Sequence, residues 1–215
     1  MANNISTLFS KSLDEMNISD KQKAVLQASL TLFSEKGFEN TSTGDIASMA
    51  GVAEGTVYKQ FKTKQELLQV VVDSIIDEVI PKVANEFIDE ITKPEGPHFQ
   101  EFLQNLIQNR MQFFINNLPQ IRILIRESMT NEKVRLQIIH KFTHLHLEKL
   151  ETIFKYYQQQ GQLVDWNFIK ILQYILGISG SYVAPLLFSV SNTFDVAAAS
   201  QEATDFLLKG LCPSK

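Results

Sequence analysis

Between Ser19 and Glu66 the sequence carries three helix-start signals separated by two helix-closing glycines, Gly37 and Gly51, and this punctuation constrains the fold more than any other feature. Ser19-Asp20-Lys21-Gln22 is a capping box, in which a hydroxyl and an amide three residues apart satisfy orphan backbone donors at a helix start. The helix that follows carries Val25, Ala28, Leu32 and Phe33 on its inner face to Lys36. There Gly37 can take the left-handed closing conformation and Phe38 can fold back on Phe33. Ser42 with Asp45 repeats the start signal, and Ile46, Ala47 and Ala50 form the narrow apolar face of a two-turn helix that Gly51 ends. A third helix occupies about residues 53–59. Thr63 with Glu66 opens a fourth at Lys64, bearing Leu67, Leu68, Val71, Ile75, Val79 and Ile80. Pro81 lacks a backbone donor and is expected to kink or end it.

The remainder alternates helices with short breaks. Pro94 and Pro97 bracket a loop, Pro119 opens a helix, Gly161 closes one, Asp165 can cap the next, and Gly210 closes the last. Ahead of Ser19, Ile5, Leu8, Phe9, Leu13 and Met16 are spaced as in a short helix packed on the body. No run shows the period-two alternation of a half-buried strand, so the expected class is all-α.

Two short helices joined at Gly51 make a helix-turn-helix, whose second helix enters the DNA major groove while the first crosses the backbone. Gly55 has no side chain to block close approach, and Thr56 offers a hydroxyl and a methyl group. Tyr58 and Lys59 share one side of the helix, while Val57 and Phe61 point inward. Lys59, Lys62 and Lys64 cluster here, and Lys64 stands at a helix start, where free N–H groups also favour a phosphate. Charge argues the other way. Residues 1–66 hold seven lysines, no arginine and eight acids, a net of −1 in a chain of net −4, whereas a generic nucleic-acid binder is more basic. With no arginine in the head, guanine reading falls to Lys59 and a thymine methyl suits Thr56.

The run TSTGDIASMAGVAEGTVYKQFKTKQELL, residues 41–68, resembles the DNA-binding head of the tetracycline-repressor (TetR) family of bacterial regulators. The Ile-Ala, Ala-Gly-Val, Gly-Thr-Val-Tyr, Phe and Lys-x-x-Leu elements occur in the family's order. The resemblance implies that Ser42 and Thr43 contact backbone or base edges, that Gly55, Thr56, Tyr58 and Lys59 form the reading surface, and that Lys64 anchors a phosphate. Ala53 departs from the pattern, standing where the family usually has a serine or threonine cap. Its absence costs the isolated helix about 1 kcal/mol, and Glu54 partly offsets this at the positive helix start. The resemblance further implies a helical body that binds a ligand and dimerises. The chain is accordingly divided into an extension at 1–18, a helix-turn-helix DNA-binding head at 19–66, and a helical ligand-binding and dimerisation domain at 67–215.

Residues 171–194 carry no charge and are long enough to span a bilayer, but Gln173, four serines, Asn192, Thr193 and Pro185 favour a buried helix. The helix from about 165 to 190 is apolar on nearly every side and must be covered twice. Gly177, Ser179, Gly180 and Ser181 permit close approach, and Val196, Ala199, Ala203, Phe206 and Leu207 form one stripe of the last helix. Pairing both helices with their symmetry mates gives a four-helix homodimer interface. Fifteen phenylalanines include Phe99, Phe102, Phe113, Phe114, Phe142 and Phe154 on the middle helices. Each alone is ordinary core filling; together with Tyr174 and Tyr182 they could line an apolar pocket. Phe102, Arg110, Phe113, Arg126, Phe142 and Tyr174 are the candidate ligand contacts, with Arg110 and Arg126 as polar anchors. Arg126 paired with Glu127 or Glu132 is the structural alternative.

His140, His144, His146 and Glu148 have helical spacing, but no cysteine or second carboxylate joins them, so neither metal nor cofactor is expected. No phosphate loop, Ser-centred elbow or placed Cys nucleophile marks an enzyme. The single Cys212 and the absence of a secretion signal in the first 20 residues point to a cytoplasmic protein. The expected function is a homodimeric transcriptional regulator, a repressor, that binds a palindromic double-stranded DNA operator and is released by a small apolar ligand shifting the fourth helix, without membrane contact. The alternative is a helical small-molecule sensor or carrier whose head meets another protein.

Overall fold

The computed structural model describes residues 4–91, 98–145, 147–188 and 194–213. Among these there is helix and no strand. The chain divides into two compact units, Asn3–Ala84 with Pro119–Leu145, and Asn85–Leu118 with His146–Lys215. The expected boundary near residue 66 follows role along the sequence, whereas the compact division returns 119–145 to the unit that holds the head.

The first unit contains α1 (Ile5–Glu15), α2 (Asp20–Glu35), α3 (Thr43–Ala50), α4 (Glu54–Gln60), α5 (Lys64–Ser74), a π-helical turn at Ile75–Val79 and the start of α6 (Ile80–Ile91). It also takes in most of α8 (Leu118–Thr130) and all of α9 (Glu132–Thr143). The punctuation read from the sequence holds here. Ser19 and Ser42 each close a full capping box, and Gly37 and Gly51 sit at φ 81° and 65°. The Phe33 and Phe38 rings lie 5.4 Å apart. Thr63 accepts from the Glu66 N–H, but the Glu66 carboxylate accepts from the Lys62 N–H, so this cap is half a box displaced by one residue. Phe9 of α1, Phe33 of α2, Ile46 of α3 and Leu67 of α5 are fully buried. Each such side chain contributes about 1.5–3 kcal/mol relative to exposure.

Pro81 does not end the helix, one of the two outcomes expected of it: α6 runs on through it to Ile91. The turn before it widens, with the Ile80 N–H reaching back to the Ile75 carbonyl. In a regular helix the Asp77 carbonyl would pair with residue 81, which has no N–H to give. Lys141 of α9 instead donates its ammonium to that carbonyl at 3.5 Å and to the Asp77 carboxylate at 3.1 Å. A tertiary contact thus serves the group that proline leaves without its usual partner.

The second unit packs α7 (Phe99–Asn116) against α12 (Val196–Leu211), with α11 (Phe168–Val183) against both. α10 (Glu148–Gln159) contributes Leu150, Phe154 and Tyr157 to the same core. Gln104 of α7 donates its amide N–H to the Ser200 hydroxyl of α12 at 3.0 Å, a polar tie between the two helices. The Gln158 amide donates to the carbonyls of Val164 and Trp166, fixing the turn after Gly161. Asn167, two residues beyond the expected Asp165, caps α11 through the Ile169 N–H. α11 gives way at Ala184 to one tight turn, Ala184–Leu187, and α12 runs one residue past Gly210. Pro94, Pro97, His146 and residues 189–193 lie outside the described residues. No helix among the described residues is long and apolar enough to cross a membrane.

Candidate nucleic-acid interface

α4 is held from beneath and open above. Val57 is 1% exposed and Phe61, at the helix end, 7%, so both anchor the helix to its neighbours as their apolar side chains require. Glu54, Gly55, Tyr58 and Lys59 are exposed and Thr56 is half-buried. A Cβ built on Gly55 would meet nothing within 4 Å. The protein's own packing therefore does not demand glycine here, although glycine costs an exposed helix about 1 kcal/mol relative to alanine.

Ala53 makes no side-chain cap, as its chemistry dictates. Instead the Thr43 hydroxyl donates to the Glu54 carboxylate at 2.7 Å and lies 2.9 Å from the Tyr58 hydroxyl. One threonine of α3 thus ties two residues of α4 and fixes the angle between the helices. Sequence reasoning gave Glu54 only a charge effect at the helix start. Its role in this tie was missed because the partner is 11 residues away. Ser42 is engaged in its capping box with Asp45: hydrogen bonds from the Ser42 N–H and hydroxyl, with the nearby Lys36 ammonium, hold the Asp45 carboxyl below the usual range.

The lysine cluster divides. Lys59 and Lys62 are exposed, with no acid paired to their ammonium groups among the described residues. Lys64 is committed to the fold. Its ammonium donates to the carbonyls of Phe38 at 2.9 Å and Thr41 at 3.0 Å and lies 4.3 Å from the Phe38 ring centroid. It pins the α2–α3 turn to the start of α5, so a phosphate role for this side chain requires breaking both bonds. Hydrogen bonds to a charged group are worth about 1.5–3 kcal/mol when partly shielded. Lys64→Met is therefore expected to lower unfolding free energy by about 2 kcal/mol, measured by denaturant titration. Unchanged stability would show that these bonds contribute nothing.

Residues 25–71, from α2 into α5, match the model of the bacterial regulatory proteins of the tetR family. Over these residues the chain carries a head of the tetR-family type. The regulator YerO of Bacillus subtilis is 26% identical over 203 residues, spanning 92% of this chain and 68% of that protein. A tetR-family regulator from Mesorhizobium loti, 20% identical, superposes with a TM-score of 0.69 over 90% of this chain and 97% of its own. The regulator FadR from Bacillus subtilis, solved in complex with stearoyl-CoA, gives 0.60 at 21% identity, over 87% and 97%. At those identities the two structures establish a shared fold.

The six ligand candidates divide between the two units. In the second, Phe102 is 7% exposed and packs on Phe154 at 6.0 Å and Tyr157 at 5.4 Å, as core filling. Arg110 lies 3.5 Å from the Phe87 centroid and 5.0 Å from that of Phe113, and donates to Asn109. Burial pulls its guanidinium down to about 10, opposed by Glu90, so it stays cationic at neutral pH. Tyr174 rests on Trp166. In the first unit Arg126 pairs with Glu39 at 3.1 Å, not with Glu127 or Glu132, and Phe142 is 56% exposed. Among these six, Arg110 and Phe113 are in contact. His140 and His144 stack with centroids 4.1 Å apart, and His144 Nδ1 meets the His140 carbonyl at 2.8 Å, so one ring nitrogen already has a partner.

Proposed function

We propose that this regulator is a repressor that binds a palindromic operator as a homodimer and is released by a small apolar ligand. The observation that carries the DNA reading is the edge formed by exposed Gly55, Tyr58 and Lys59 with half-buried Thr56, over a buried Val57, with open space around Gly55. Thr56 and Lys59 are the base-reading candidates, and Ser42, Thr43 and Tyr58 orient the helix and meet the backbone. Lys59 and Lys62, rather than the committed Lys64, supply the phosphate attraction.

The dimer reading is supported by an uncovered apolar face on the last helices. Ile169 and Leu176 of α11 and Phe206 of α12 are 53%, 59% and 59% exposed. In a homodimer these surfaces of two copies would cover one another, and the paired heads would span about 34–36 Å to enter successive major grooves. That FadR was solved with stearoyl-CoA supports a ligand with a long apolar part for this chain as well.

A gel-shift titration against the DNA upstream of the chain's own gene tests the reading. Retarded complexes that weaken steeply with salt and are lost when Lys59 and Lys62 are both changed to alanine are expected. Absence of any sequence-preferring complex would leave the head as a surface for another protein.

A further inference from the structure

On the edge of α4 stands one side chain that neither the base-reading nor the phosphate role employs. Glu54 is an exposed acid at the start of the helix. A carboxylate facing DNA is repelled by the phosphates, so it lowers the general attraction on which a head with few cations depends. What it can supply is a choice among bases, which phosphate contacts do not make.

The way this carboxylate is presented follows from its hydrogen bonds. The Thr43 hydroxyl has one hydrogen, and a carboxylate has none to give. The 2.7 Å bond between them therefore places the Thr43 hydrogen on Glu54 Oε1, and across the 2.9 Å contact the Tyr58 hydroxyl must donate to Thr43 Oγ1. The chain runs in one direction, from Tyr58 through Thr43 to Glu54. Oε2 at its end meets no donor among the described residues. A Cβ at Gly44 would lie 3.9 Å from the Glu54 carboxyl carbon and from Oε1, so the group is laid over the first turn of α3, between the two helices of the helix-turn-helix. A charge-assisted bond thus holds a long side chain that would otherwise sample many rotamers. What it has left to offer is acceptor lone pairs.

In the major groove the N4 amino group of cytosine is the donor that suits a carboxylate, whereas guanine N7 and O6 and thymine O4 are acceptors that repel it. Adenine sets its N7 acceptor beside its N6 donor, a pattern that fits an amide rather than a carboxylate. We propose that Glu54 is a specificity-determining residue that reads a cytosine in each operator half-site, with Thr43 and Tyr58 as positioning residues. It complements Lys59, whose ammonium suits guanine. The inference rests on the reading of α4 as the helix that enters the DNA groove.

Selection of binders from a pool of random duplex DNA tests it, using the full chain, Glu54→Gln, Thr43→Val and Thr43→Ser. The parent is expected to enrich a motif with cytosine at one position of each half-site, preferred at least about fivefold over the other bases. Glutamine keeps an acceptor for the Thr43 hydroxyl and pairs bidentately with adenine. Glu54→Gln should therefore exchange cytosine for adenine at that position, by a similar factor, and leave the rest of the motif as it was. Thr43→Val should relax that one position and Thr43→Ser should restore it. Circular dichroism of Glu54→Gln should match the parent, since the side chain is exposed. A merely structural tie would weaken every position alike and exchange no base. The parent's motif unchanged or uniformly weakened in Glu54→Gln, or its cytosine lost with no adenine gained, overturns the inference and spares the regulator reading. An unchanged motif in Thr43→Val overturns the positioning role. No motif enriched by the parent overturns the DNA reading, and this inference with it.

Discussion

Leu176→Glu is expected to leave the monomer folded and to lower operator affinity by about 10²–10⁴-fold. Leu176 is 59% exposed on α11, whose inward face is carried by Ile171, Ile175, Ser179 and Val183. Replacing it therefore removes nothing from the core of the unit. In the proposed dimer the same position is covered by a second copy, where an unpaired carboxylate would have to be desolvated. The head has few cations to offer, so a single head binds weakly, and operator affinity depends on two heads sharing one association event. Sedimentation of the variant should show monomer, with circular dichroism and melting like the parent. A dimer that survives the charge would place the interface elsewhere.

Gly55→Leu should separate stability from recognition. Leucine is the better helix former by several tenths of a kcal/mol, and a side chain grown from position 55 meets nothing of the protein in its first step. Melting temperature is expected to hold or rise. Operator affinity is expected to fall at least about 100-fold, about 2.8 kcal/mol, because the backbone can no longer approach the groove floor. Equal affinity for parent and variant would turn this edge away from DNA.

What the sequence made legible is what neighbouring residues decide. The caps at Ser19 and Ser42, the turn at Gly51 and the buried Val57 each depend on partners within a turn or two of helix, and all appear where the spacing puts them. Features that depend on distant partners were not legible. Lys64 reads as a phosphate anchor until its ammonium is found on carbonyls 23 and 26 residues away. Pro81 reads as a stop until α9 supplies Lys141 to Asp77, 64 residues distant. Periodicity likewise assigns an apolar stripe without saying what covers it. Phe102 is sealed in a core, whereas Leu136, Ile139 and Phe142 stand open, and only the packing separates the two cases. Asp165 lost the cap to Asn167 for a similar reason, since the Gln158 amide fixes where the turn ends.

Hydroxyl-radical footprinting on the DNA upstream of the gene reads out how the two heads sit on the duplex. Two protected patches related by two-fold symmetry are expected, with centres about 34–36 Å apart, both lost together in Gly55→Leu. A footprint that persists in that variant, or one that is single and without symmetry, would contradict that placement.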